Sequence, residues 1–153
     1  MHEPSANELT DLPANAIEDS IAVLASPESG PRQRYYAAMR IANAGLSNEA
    51  RATILLTCLN RSPHLSHYPI ILALGDVHHE LSIRKLRAIV AGGDEGIRYA
   101  ALKGLARQKD PTVMEQCRHD ICHGTDRQRE DAIILLGILD TPESRRAIDN
   151  GCS

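Results

Sequence analysis

Four nine-residue segments of the chain can be laid over one another, and this repetition constrains the fold more than any other feature. They are 34–42 (RYYAAMRIA), 67–75 (HYPIILALG), 98–106 (RYAALKGLA) and 129–137 (REDAIILLG), with starts at 34, 67, 98 and 129, hence intervals of 33, 31 and 31 residues. The shared pattern opens on a base, usually followed by Tyr. A variable residue comes next, then two apolar residues, two variable ones, a large aliphatic residue, and Ala or Gly. On a helix the fourth, fifth and eighth columns fall on one face, the i, i+3, i+4 stripe of a buried side. These columns hold Ala37, Ala38 and Ile41 in the first segment and Ala101, Leu102 and Leu105 in the third. The small ninth column (Ala42, Gly75, Ala106, Gly137) lets a neighbouring helix lie close.

A second helix precedes each segment. Positions eight residues before the base are Ser26, Leu59, Val90 and Ile121, and twelve before are Ala22, Leu55, Leu86 and Cys117. Four residues apart, the two columns share a helical face. Between the helices stand stop and start signals: Ser26-Pro-Glu-Ser-Gly-Pro31, Gly92-Gly93-Asp94 and Gly124-Thr125-Asp126, with Asp110-Pro111 and Thr141-Pro142 in matching places. Gly ends a helix, Asp or Thr caps the next, and Pro suits its first turn. The spacing predicts helices over 13–26, 31–45, 47–60, 66–76, 80–92, 94–108, 111–123, 126–139 and 142–149, with no strand. The expected fold is all-α: an α-solenoid of four helical hairpins in one domain, 13–153, behind a mobile polar lead-in, 1–12. The polar last helix caps the C-terminal end.

Composition narrows the function classes. With 153 residues the chain is long enough to bury a core unaided. It has four Tyr but no Phe or Trp, so the core is built from aliphatic residues. The formal net charge of −3 argues against nucleic acid as partner. No apolar run reaches a membrane span, and the N-terminus lacks the pattern of a secretory signal. Cys58, Cys117, Cys122 and Cys152 make no C-x-x-C pair, so reduced thiols in a cytoplasm are expected.

Residues 97–111, IRYAALKGLARQKDP, resemble a HEAT repeat of the short kind found in phycobilisome-lyase-like proteins. Through the four aligned segments the resemblance covers nearly the whole chain. It implies an α-α superhelix whose second helices line a concave face. It also implies a binding scaffold, since only a minority of such proteins are enzymes. The di-iron deoxyhypusine hydroxylases of this kind need His-Glu pairs at the repeats' helix starts. Here such pairs are only His2-Glu3 and His79-Glu80, outside those places. HEAT-like DNA glycosylases need a basic groove with Trp, and this chain is acidic and has none. No pigment pocket of a bilin lyase is discernible.

The remaining candidates are sorted by column. Glu115, His119 and His123 stand at i, i+4, i+8 with Cys122 beside them, the one arrangement resembling a metal site. It lacks a second ligand cluster, so a polar helix face is the favoured reading and no cofactor is expected. The bases Arg34, Arg98 and Arg129 suggest an anion ladder. Ion pairs with acids of the adjacent turn, such as Asp94, are favoured over it. Tyr35, Tyr68 and Tyr99 form either an exposed ridge or packing between successive repeats. The third, sixth and seventh columns lie opposite the stripe and carry few charges. From them Tyr36, Met39, Arg40, Leu72, Lys103, Ile134 and Leu135 are expected to form a binding strip on the concave face. The expected function is non-catalytic recognition of a protein or peptide, with self-association possible. The alternative is a HEAT-like enzyme or lyase accessory acting on a cofactor-bearing protein.

Overall fold

The computed structural model describes residues 14–92 and 94–152, and the expected lead-in, 1–12, lies outside them. Among the described residues there are nine α-helices and no strand. They are α1 (Ala14–Ala25), α2 (Pro31–Ala42), α3 (Asn48–Arg61), α4 (His67–Gly75), α5 (Glu80–Ala91), α6 (Glu95–Arg107), α7 (Thr112–His123), α8 (Asp126–Leu139) and α9 (Pro142–Asn150). Each lies within three residues of its expected bounds. A 3-10 turn, His64–Ser66, leads into α4 and was not foreseen.

The starts follow from local chemistry. Ser47 Oγ accepts from Ala50 N–H at 3.1 Å, and Asp94 Oδ1 accepts from Gly96 N–H at 2.9 Å. Thr125 and Gln128 make reciprocal bonds at the start of α8, as Thr141 and Ser144 do at α9. These caps satisfy amides that the first helical turn leaves without partners. Pro69 falls in the first turn of α4, where no helical hydrogen bond needs its missing N–H. Lys109 (φ 57°) and Asp140 (φ 46°) stop α6 and α8 in the left-handed region at equivalent places of the repeat.

Consecutive helices touch in pairs: α1 with α2, α3 with α4, α5 with α6, α7 with α8. The second members also touch in series, α2 with α4, α4 with α6 and α6 with α8, while α9 rests on α8. Every residue of the fourth and eighth columns is buried, from Ala37 and Ile41 through Ala132 and Leu136. At the crossing of α4 and α6 the two backbones come close. A Cβ on Gly75 would fall 2.6 Å from Gly104 Cα, and one on Gly104 would fall 2.8 Å from Gly75 Cα. The ninth column of one helix therefore meets the seventh column of the next.

Two expectations are corrected by this packing. Leu135, assigned to the exposed strip, is 1% exposed. It occupies the seventh column, which faces the preceding second helix, and Ala73 and Gly104 of that column are buried too. In α1 the inward residues are Ser20 and Leu24, whereas Ala22 is exposed and Ser26 follows the helix. The linker from α1 to α2 shifts the register there.

Candidate functional site

The arginines of the base column are turned into the protein twice and outward once. Arg34 is buried at the joint of α1, α2 and the 3-10 turn. Its Nε donates to Ser29 O at 2.8 Å, and its Nη2 donates to Ser26 O and Pro27 O, each at 3.1 Å. Its Nη1 donates to Ser66 Oγ at 3.3 Å, and Ser66 donates onward to Leu24 O at 2.7 Å. The guanidinium thus satisfies carbonyls of the linker from α1 to α2, while Ser66 takes one left over in the last turn of α1. Arg98 is buried against Asp120 of α7, Nη2 to Oδ2 at 2.6 Å. Asp120, not the expected Asp94, is its closest acid, because Asp94 serves as the cap of α6. Arg129 is half-exposed and pairs with Asp126 in its own first turn. Arg34 and Arg98 are therefore structural and do not form an anion ladder.

The tyrosine column lines two successive clefts. The first, of about 380 Å³, lies between α2 and α4 and is walled by Tyr35, Tyr68, Leu72, Leu65, Pro31, Pro69, Ser29 and Arg34. Tyr35 and Tyr68 are 42% and 40% exposed, and Leu65 stands out beside them. The second, of about 370 Å³, shares Tyr68 and adds Tyr99, Glu95, Arg127, Gln128 and Asp131. Burial first, then the charge of Asp131 and the nearby Tyr68, raises the Tyr99 phenol above its ordinary pKa, with Arg107 opposing. The first cleft is apolar; the second carries both signs of charge.

The strip expected on the opposite columns is only partly assembled. Leu72 joins Tyr35 and Tyr68 in the first cleft. Tyr36 is half-buried, with Arg32 5.9 Å above its ring and Tyr35 edge-on at 5.6 Å. Met39 is half-buried against the core, Arg40 and Lys103 are half-buried, and Ile134 is 52% exposed. Leu65, a wall of the first cleft, was missed. It belongs to the 3-10 turn outside the nine aligned columns, where periodicity gives no signal.

The metal candidates divide. Glu115 and His119 line a cleft against α5 with Arg87. The His119 and His123 rings are 5.3 Å apart, while Cys122 faces the chain beyond α9. Four ligands on one helix spread over roughly 12 Å of axis, so they cannot converge on one ion unaided. Among the described residues no group of three or more His, Cys, Asp or Glu gathers around a point. Burial first, then Asp120, with Arg98 opposing, pushes the Cys117 thiol up to about 12, which favours the neutral thiol at neutral pH. Among the described residues no helix is long and apolar enough to cross a membrane.

These observations define the class: an all-α protein of paired helices with tyrosine-lined clefts between successive pairs. Scanned against known protein families, curated proteins and solved structures, the chain matches none.

Proposed function

We propose that the chain is a short HEAT-like α-solenoid that binds a protein or peptide segment without catalysis. The observation that carries the reading is the apolar cleft at Tyr35, Leu65, Tyr68 and Leu72. Tyrosine offers apolar area with a polar tip and little side-chain freedom to lose, which suits a recognition surface. The serial contact of α2, α4, α6 and α8 supports the solenoid, since each pair meets its neighbours in order. A bulky apolar side chain of the ligand occupies the first cleft, and the ligand runs on past Tyr68 towards the charged second cleft. The mixed charges of that cleft, Arg127 with Glu95 and Asp131, suit a polar or charged residue of the ligand beyond the anchor.

The test is selection from a displayed random-peptide library on the immobilised protein. Enriched peptides should share an apolar anchor and bind the parent protein. Leu72→Asp and Tyr68→Ala should weaken them at least tenfold while leaving the far-ultraviolet circular dichroism unchanged. Failure of any peptide to enrich, or equal binding by both variants, would overturn the reading.

A further inference from the structure

Cys122 lies in the last turn of α7 and Cys152 lies just beyond α9. They wall the same cleft, of about 370 Å³, together with Arg118, Glu143 and Arg146. Both are free thiols, Cys122 partly buried and Cys152 exposed. Arg118 Nη2 donates to Glu143 at 2.7 Å, so α7 and α9 are already held together beside the pair. Two thiols that wall one cleft from α7 and from the segment after α9 can be brought by side-chain rotation towards the roughly 2.05 Å of a disulfide. Cys58 and Cys117 are buried.

We propose that Cys122 and Cys152 are a redox-active dithiol that exchanges with a small-molecule disulfide of the glutathione class. The pair closes into an internal disulfide that fastens the C-terminal segment to α7. Cys152, the exposed sulfur, loses its proton to water and attacks one sulfur of the oxidised small molecule. That sulfur–sulfur bond breaks, one thiolate leaves, and a mixed disulfide forms at Cys152. Cys122 then loses its proton and attacks Cys152 Sγ, expelling the second small thiolate. Two electrons and two protons have left the protein, and the small molecule has been reduced to two thiols. The order follows from access. It also follows from the neighbouring Cys152 thiol, then burial, which hold the Cys122 thiol above its ordinary pKa. The guanidinium groups of Arg118 and Arg146 favour thiolate in the cleft, and Glu143 offsets part of that field.

The experiment treats the reduced protein with oxidised glutathione, quenches with acid, and maps the cysteines by mass spectrometry. The expected product has lost two hydrogens and yields one linked peptide containing Cys122 and Cys152, with Cys58 and Cys117 still free. Its melting temperature should rise by about 5–10 °C, because the link closes a long loop in the unfolded chain, and dithiothreitol should reverse the rise. Cys122→Ser should stop at the glutathione adduct on Cys152. Cys152→Ser should react at Cys122 at least tenfold more slowly than the parent reacts at Cys152. The proposal is overturned if the parent accumulates the adduct without closing, if links form only between chains, or if closure leaves the melting temperature unchanged.

Discussion

Arg98 and Asp120 are both buried, and Gln116 Nε2 also donates to Asp120, at 3.2 Å. Removing one charge leaves the other desolvated without its partner, a larger loss than removing both. Arg98→Ala should therefore cost about 3–5 kcal/mol in urea denaturation, whereas Arg98→Met with Asp120→Leu should come within about 1 kcal/mol of the parent. Asp110 gives a pH signature. Its carboxylate is buried and accepts from Arg87 Nε at 3.0 Å. That bond, reinforced by bonds from Thr112 and opposed by burial, lowers its pKa below the ordinary value. With the folded pKa below the unfolded value of about 3.9, the stabilisation is fully present above that value. It is lost as pH falls through the folded pKa. The margin over Asp110→Asn should be about 1–2 kcal/mol at neutral pH, limited by the half-exposed Arg87, and should shrink as acid is added below about pH 4. A margin that grows on acidification would contradict the assignment.

At the scale of the helix, the glycines separate two roles that look alike in sequence. Gly75 and Gly137 share the ninth column, yet a Cβ at Gly75 meets backbone at 2.6 Å and one at Gly137 meets nothing within 4 Å. Gly75→Ala and Gly104→Ala should each cost about 1–3 kcal/mol by forcing α4 and α6 apart. Gly137→Ala should stabilise by about 0.5–1 kcal/mol, the ordinary helix preference for Ala. Thermal melts of the three variants check this directly, and destabilisation at Gly137 would show that another surface rests on it. The helix bounds were readable beforehand because caps such as Asp94, Thr125 and Thr141 act within three residues of themselves. The 3-10 turn was not, because its role is to pass Ser66 between Arg34 and Leu24, a contact across 32 and 42 residues.

Across the whole molecule, one repeat position has opposite fates. The fifth column is fully buried at Ala38, Ile71 and Leu102, each on a helix followed by another of the series. Ile133, the same position on α8, is 50% exposed, since the series ends there. Leu102→Lys should unfold the protein or cost more than about 4 kcal/mol, and Ile133→Lys should stay within about 0.5 kcal/mol. Leu105→Ala and Leu136→Ala, both fully buried, should each cost about 2–5 kcal/mol. Similar losses at Ile133 and Leu102 in chemical denaturation would mean that α8 is covered in solution.

The amino-acid order alone was enough for the all-α class, the helix bounds and the inward fourth and eighth columns. Hydrogen-bond caps and the 3.6-residue period are properties of short stretches of chain. The binding strip was less legible. Column membership says which side of its own helix a residue occupies, and not whether a neighbouring helix covers that side. Leu135 and Ile134 are adjacent in the chain and equally aliphatic, yet the one packs into the series and the other faces solvent. The meeting of Tyr35 with Leu65 and Tyr68, and of Cys122 with Cys152, was likewise decided by folding. Each joins residues about thirty apart, beyond the reach of any local periodicity and within reach only once helices stack.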